Sequence, residues 1–184
     1  MSKYLETIHF IRGQFPGEDF VPLHRPKFSG NEKSYLLETI DSTFVSSVGY
    51  FVDKFEEMMA NLYGVSKAVA VVNGTSALQV ALRLAGVKKE DEVITQALTF
   101  VATVNAILYN NAHPIFIDVD LDTMGLSPRA VAAFLDEFGE MRDGYCYNKK
   151  TNKKIAACMP MHTFGFPARL DELITVCNNW NITL

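Results

Sequence analysis

The most constraining feature of the sequence is an alternation of short apolar runs with helix-like segments from residue 68 onward. The runs are apolar throughout, which is typical of strands buried on both faces. Such strands, separated by helices, predict an α/β fold with a mostly parallel sheet that is covered on both faces. One polar stretch, 143–153, interrupts this alternation of strands and helices and predicts a small excursion or hairpin. The predicted strands are 68–72, 92–95, 114–118, 154–161 and 182–184, and the predicted helices between them are 76–84, 100–109, 128–138 and 170–177.

The region before this alternation has a different character. Pro16, Pro22 and Pro26 interrupt it, and proline disfavours both helix interiors and central strands. We therefore expect residues 1–28 to form an irregular arm that lies over a surface, with 21–23 as its anchoring point.

Capping signals mark several helix ends. Apolar residues recur at helical spacing over 31–40 and 51–63, and Gly64 then predicts a C-cap. Ser127 predicts an N-cap, and Pro128 occupies the first helical position, where its missing N–H is not needed.

Composition excludes several classes of protein. A chain of 184 residues with a net charge of -4 has room for one hydrophobic core and offers no clustered basic face for nucleic acid. Its three cysteines are an odd number without the CxxC spacing of a metal site, so we expect reduced thiols and no metal. No apolar leader or membrane-length run is present, which favours a cytoplasmic protein without membrane contact. Because 182–184 begins a strand pattern and then stops, we expect a fragment of a longer protein.

The segment Asn73–Leu78, read Asn-Gly-Thr-Ser-Ala-Leu, is the first candidate for chemistry. It joins a predicted strand to a helix, and the start of a helix has unpaired N–H groups that attract phosphate. Ordinary capping of the helix explains the same residues equally well. The segment lacks the GKS or GKT of a nucleotide P-loop and the GxGxxG of a dinucleotide site, so a single phosphate fits better than a pyrophosphate.

A second candidate, Phe100, opens the next predicted helix. Helices that follow parallel strands begin at the carboxyl edge of the sheet, where ligands of α/β folds bind. An aromatic ring there could stack on a flat heteroaromatic ligand. A core role is the alternative, and only the spacing from Asn73–Leu78 favours stacking.

Five segments, in order, resemble the DegT/DnrJ/EryC1/StrS family. The family implies a pyridoxal-phosphate (PLP)-dependent enzyme of fold type I, with a three-layer α/β/α large domain, that acts on nucleotide-linked keto sugars. Residues 29–184 then correspond to the N-terminal part of the PLP-binding large domain, incomplete at its C-terminus. The segments are Asn73–Leu78, Asp91–Ile94, Thr99–Thr103, Pro114–Asp120 and Met161–Gly165.

The resemblance also implies roles for individual residues. The cofactor phosphate would lie at a turn of three residues, the pyridine ring against Phe100, and His162 near the cofactor, a core or loop histidine being the alternative. The stretch 45–56 resembles the subgroup serving bacillosamine- and legionaminic-acid-type sugars. Its loop would lie near the active site. The phosphate turn is Gly74, Thr75 and Ser76, and the loop residues are Ser46, Ser47 and Gly49.

The resemblance places the bond-making residues after Leu184. These are a carboxylate that keeps the pyridine nitrogen protonated and a lysine that forms the Schiff base with PLP. No lysine of the chain matches that role, since those of 149–154 lie in the polar excursion. We therefore expect no catalytic residue and no turnover in this chain alone. The full enzyme would be a homodimer that takes an amino group from L-glutamate, through the pyridoxamine form of the cofactor, to a 4-keto nucleotide sugar.

Three alternatives remain at this stage. A PLP-dependent sugar dehydratase of the same family has histidine in place of the lysine. A non-catalytic remnant would keep the fold for binding or regulation. A Rossmann oxidoreductase is disfavoured by the missing glycine fingerprint.

Overall fold

The computed structural model describes residues 3–22 and 25–184 and divides into two compact units, Met1–Ala70 and Val71–Leu184. The predicted anchoring point at 21–23 lies partly outside the described residues, because Leu23 is not among them. In the described part of the chain, no helix is long and apolar enough to cross a membrane. No group of three or more His, Cys, Asp or Glu side chains there is arranged to hold a metal ion.

The described residues of the first unit form three helices. They are α1 (Leu5–Gln14), α2 (Glu32–Asp41) and α3 (Tyr50–Tyr63). The helices predicted at 31–40 and 51–63 are therefore confirmed. Gly64 ends α3 in the left-handed conformation at φ 63°, and its N–H bonds to carbonyls of the last turn, as the C-cap prediction required.

The prediction of an irregular arm over 1–28 is wrong for Leu5–Gln14, which is helical. The physical reason is that the prolines of this region all follow the segment, beginning with Pro16. Within it, Glu6 lies in the first turn and Arg12 in the last, which matches the polarity of the helix dipole.

The predicted strand 68–72 is also wrong, since the structure has no strand there. A strand exists only when a neighbour supplies its ladder of hydrogen bonds, and in the described residues no strand pairs with this segment. The Ala70 N–H instead bonds to Glu56 Oε1 at 2.7 Å. Val69 and Val72 remain 69% and 88% exposed.

The second unit is built on a parallel sheet. Strands β1 (Glu92–Gln96), β2 (His113–Ile117) and β5 (Ile155–Cys158) pair in the order β2-β1-β5, all parallel. The strand expected at 182–184 is reduced to a single parallel bridge between Thr183 and Ala157. The prediction of a mostly parallel sheet is confirmed.

Four helices cover the two faces of this sheet. They are α4 (Gly74–Leu84), α5 (Val101–Tyr109), α6 (Pro128–Phe138) and α7 (Leu170–Asn179). Val93 of β1 is buried with residues of α4 and α5, and its neighbour Ile94 is buried with residues of α6 and α7. Because successive side chains of a strand point to opposite faces, the unit has three α/β/α layers.

The polar excursion is a hairpin. Strands β3 (Gly139–Arg142) and β4 (Tyr145–Asn148) pair antiparallel, directly after α6. The turn between them has positive φ at both Asp143 and Gly144, as a tight two-residue hairpin turn requires. Ser127 caps α6 by accepting a hydrogen bond from the Ala130 N–H, which confirms that predicted cap.

Candidate functional site

Helices α4 and α5 begin at the same edge of the sheet. Asn110, at the end of α5, donates its amide to the Gln79 carbonyl at 3.1 Å and accepts from Arg83 Nε at 3.0 Å. The C-terminal halves of the two helices are thus tied together, and the helices run in the same direction. Since α5 starts just after β1, both N-termini lie towards the carboxyl edge of the sheet, where ligands of such folds bind.

The start of α4 presents donors that the helix itself does not use. Asn73 is the N-cap, and its Oδ1 accepts a hydrogen bond from the Ser76 N–H at 2.9 Å. The N–H groups of Gly74 and Thr75 have no acceptor in the described part of the chain, because a first turn has no preceding helical carbonyls. An ideal Cβ on Gly74 would meet nothing within 4 Å, so the space beside these donors is open.

The side chains at this helix start add further donors. Neither the Thr75 nor the Ser76 hydroxyl bonds to another described residue, and both residues are half-buried. Two backbone N–H groups, two hydroxyls and the positive end of the helix dipole form a donor set suited to a phosphate group.

Phe100 lies at the N-cap of α5 and is 69% exposed. Within this chain the ring is therefore not part of the hydrophobic core. Its backbone N–H donates to the Sδ atom of Met161 at 3.2 Å. This contact joins the start of α5 to the segment that follows β5.

His162 follows Met161 and is exposed in this chain. Its Nδ1 accepts a hydrogen bond from the Ala168 N–H at 3.0 Å. A neutral imidazole that accepts at Nδ1 carries its proton on Nε2, so His162 has an N–H available for a ligand. Phe164, two residues on, is 87% exposed and has a positive φ of 54°, which is an uncommon backbone conformation for an aromatic residue.

Gln96, the last residue of β1, is a polar side chain to which no sequence motif points. It is 0% exposed, and its amide bonds to the segments that follow β1, β2 and β5. The sequence offers one signal for it, a glutamine directly after the predicted strand 92–95, since a buried amide must be hydrogen-bonded.

A surface ion cluster also lies at the carboxyl side of β2. Arg169 at the start of α7 bonds to Asp120 and, at 2.5 Å, to Asp122. The hydrogen bond from the guanidinium lowers the pKa of Asp122. These residues line an open cavity of about 580 Å³ together with Arg129. The three side chains tie the segment after β2 to α7.

The loop residues lie in the first unit. Ser46 Oγ accepts a hydrogen bond from the Val48 N–H at 3.3 Å, which stabilises a local turn. Ser46 and Gly49 line a cavity of about 400 Å³ with residues of α2 and α3, whereas Ser47 does not. The second unit therefore holds the phosphate-type donors, Phe100 and His162, and the loop belongs to the other unit.

Comparison with known proteins identifies the family. The sequence profile of the DegT/DnrJ/EryC1/StrS aminotransferase family matches residues 26–184. The chain belongs to the DegT/DnrJ/EryC1/StrS aminotransferase family. It is 37% identical over 160 residues to EpsN of Bacillus subtilis (strain 168), provisionally named a pyridoxal phosphate-dependent aminotransferase, with 87% of this chain and 39% of EpsN covered. It is 34% identical to GDP-perosamine synthase of Escherichia coli O157:H7, with 89% and 40% covered.

Solved structures of the family share the fold. DesI, determined in the presence of its TDP-sugar product, superposes with a TM-score of 0.67 at 32% identity, covering 86% of this chain and 36% of DesI. The predicted fold type I architecture is confirmed. The chain spans about two fifths of the length of the curated relatives it matches.

Proposed function

We propose that this chain is the phosphate-binding and ring-binding part of a PLP-dependent aminotransferase that moves an amino group from L-glutamate to a nucleotide-linked 4-keto sugar. The observation that carries the proposal is the start of α4, where free N–H groups and hydroxyls lie near the same sheet edge as exposed Phe100. The names of two relatives, GDP-perosamine synthase and DesI with its TDP-sugar product, support a nucleotide sugar as substrate.

Gly74, Thr75 and Ser76 would hold the cofactor phosphate. A phosphate ester is a dianion with three acceptor oxygens, which matches the two N–H groups and two hydroxyls at the positive end of α4. Asn73 already occupies the Ser76 N–H, so the phosphate would be held by the N–H groups of the two preceding residues.

Phe100 and His162 would contact the rest of the cofactor. The Phe100 side chain is exposed at the N-cap of α5 and offers its face to a flat pyridine ring. The Nε2–H of His162 would donate to an oxygen of the cofactor or substrate, because Nδ1 is already fixed by the Ala168 N–H. When bound, PLP supplies an electron sink for the carbon from which a proton is removed.

The remaining groups of the reaction would come from the rest of the full-length protein. We propose that a carboxylate for the pyridine nitrogen and the Schiff-base lysine lie after Leu184. We also propose a homodimer in a cytoplasmic setting, in which the loop bearing Ser46, Ser47 and Gly49 contributes to substrate binding. The exposure of Ser46 and Ser47 supports a binding role.

The proposal is tested on the full-length protein by titration with PLP. We expect a visible absorption band that borohydride bleaches, and formation of 2-oxoglutarate from L-glutamate when a 4-keto nucleotide sugar is present. Thr75→Val with Ser76→Ala should weaken PLP binding at least tenfold, because two phosphate donors are lost. The absence of any visible band would overturn the proposal, and loss of the sugar hydroxyl without amino transfer would indicate the dehydratase instead.

Ser127→Ala is the matched control for that double variant. Ser127 is also a hydroxyl residue at the start of a helix, where it caps α6 through the Ala130 N–H at 3.3 Å. Its loss should lower stability by about 1 kcal/mol and leave the PLP dissociation constant unchanged. Equal weakening of PLP binding in the control and the double variant would show that helix stability, and not phosphate contact, is being measured.

A further inference from the structure

Gln96 is the most connected buried polar side chain at the carboxyl edge of the sheet. Its Oε1 accepts hydrogen bonds from the Leu126 N–H at 3.1 Å and the Met161 N–H at 3.0 Å. Its Nε2 donates to the Leu98 carbonyl at 3.0 Å and to Thr163 Oγ1 at 2.9 Å. All of these contacts form without solvent, because Gln96 is 0% exposed.

The orientation of this amide is determined by its partners. Two backbone N–H groups face the oxygen, while a carbonyl and a hydroxyl face the nitrogen. The Thr163 hydroxyl donates its own proton to the Met124 carbonyl at 2.7 Å, so it can only accept from Gln96. A flipped amide would place donors against donors, and so the network has one arrangement.

The partners belong to three separate segments. Leu98 lies on the way to Phe100, Leu126 lies between β2 and α6, and Met161 directly precedes His162. Each segment follows a different strand of the parallel sheet. One buried side chain therefore fixes the three segments relative to one another at the ligand edge of the sheet.

A second contact extends the network to the start of α5. Met161 is bound to Gln96 through its backbone N–H at 3.0 Å, and its sulfur accepts from the Phe100 N–H at 3.2 Å. The contacts from Gln96 to Met161 and from Met161 to Phe100 thus fix the position of the Phe100 backbone. They act in addition to the covalent connection through residues 97–99.

We infer that Gln96 is a positioning residue for the cofactor: its buried amide holds the Phe100 and His162 segments in the arrangement that receives the pyridine ring. This inference rests on the proposed function. Replacement by an apolar side chain leaves two N–H groups and a carbonyl without partners in a dry site, and such groups recover hydrogen bonds only if the segments move apart.

The test compares two buried amides in the full-length protein. Gln96→Met and Asn110→Leu each replace an amide by an apolar side chain of similar shape. Asn110 is buried and bonds to Ala106, Gln79 and Arg83, but at the far end of α5 from Phe100. Both variants should melt at a lower temperature, so stability alone does not separate them.

Cofactor binding should separate the two variants. We expect Gln96→Met to raise the PLP dissociation constant at least tenfold and to change the visible circular dichroism of the bound cofactor, which reports its orientation. Asn110→Leu should stay within twofold of the parent protein with an unchanged spectrum. Parent-like binding and dichroism in Gln96→Met, or equal weakening in Asn110→Leu, would overturn the inference.

Two further variants keep the outcome decisive. If Gln96→Met does not fold, Thr163→Val removes only the hydroxyl end of the network, and the same tenfold weakening and spectral change are expected. Phe100→Ala should weaken PLP binding too, and a parent-like affinity in that variant overturns the inference by removing the group that Gln96 positions. If the parent protein itself binds no PLP, the result overturns the proposed function and not the role of Gln96.

Discussion

Asn73 determines which donors at the start of α4 remain available to a ligand. It caps the helix through a single hydrogen bond to the Ser76 N–H, so the N–H groups of Gly74 and Thr75 stay free. Helix capping and phosphate binding, which compete as explanations of Asn73–Leu78 in the sequence, are therefore compatible. The cap satisfies one donor and leaves the others for an anion.

The first prediction separates these two tasks by changing charge at Asn73. Asn73→Asp keeps an oxygen acceptor for the Ser76 N–H, so the melting temperature should be unchanged or higher. The new carboxylate would lie beside the cofactor phosphate, and repulsion of about 1 kcal/mol or more corresponds to a five- to tenfold weaker PLP affinity. Titration at low and high salt checks this result, since screening should recover part of the affinity.

Asn73→Ser is the control for that charge, because it keeps a capping oxygen and adds no carboxylate. Its PLP affinity should stay near that of the parent protein. If both variants bind PLP equally well at low salt, the phosphate does not lie at this helix start.

The partners of Gln96 explain why this residue could not be predicted from the sequence. Leu126, Met161 and Thr163 lie 30, 65 and 67 positions away along the chain. A glutamine at the end of a predicted central strand indicates a buried amide, but its contacts depend on which strands become neighbours. The placement of Thr75, Ser76 and Phe100 at helix starts could be predicted, because local signals mark those starts.

Helices were easier to predict than strands, because a helix is stabilised by contacts between near neighbours in the sequence and a strand by contacts with distant ones. Helices α2, α3 and α6 were predicted from their own periodicity and caps, as Gly64 and Ser127 illustrate. The segment 68–72 has the composition of a buried strand, yet without a paired neighbour it forms no strand, and its three valines are exposed. Strand formation depends on a partner, and composition cannot supply one.

Glu90 links several elements at the amino edge of the sheet. It precedes β1 and bonds to Lys153 at 2.9 Å, just before β5, and to His113 of β2 at 3.0 Å. Hydrogen bonds, first from Lys153 and then from His113, lower the pKa of Glu90 from 4.5 to about 2. This side chain therefore ties together the starts of all three parallel strands.

The second prediction concerns the pH dependence of stability. A carboxyl with a lowered folded pKa stabilises the fold above its unfolded value and loses that effect as pH falls towards its folded value. Glu90 should therefore contribute fully above about pH 4.5 and progressively less down to about pH 2. In Glu90→Gln, the melting temperature should fall less steeply between pH 5 and pH 2 than in the parent protein.

Glu137→Gln is the control for this measurement. Glu137 is exposed on α6 and forms no ion pair with any residue that the structure describes. Its melting curve should follow that of the parent protein across the same pH range. A Glu90→Gln profile with the parent slope would mean that the contacts with Lys153 and His113 do not stabilise the fold in solution.

The 184-residue chain exposes many large apolar side chains. Val72 and Leu84 in the second unit are 88% and 84% exposed, and Leu62 in the first unit is 73% exposed. Where exposed apolar side chains form a contiguous surface, they mark interaction sites or aggregation hazards. The segment 68–72 pairs with no strand in the described residues, so those of its backbone groups that make no hydrogen bond are available for pairing with another chain.

The third prediction is that the 184-residue chain alone self-associates. Sedimentation at rising concentration should give species larger than 20.6 kDa, and an apolar dye should bind at pH 7, whereas the full-length protein should bind little dye. Val72→Lys should reduce association because it places a charge in the exposed apolar segment. Asn178→Lys adds the same charge at an exposed polar position of α7 and should not. A monodisperse monomer that melts cooperatively would show that the exposed apolar side chains do not cause self-association.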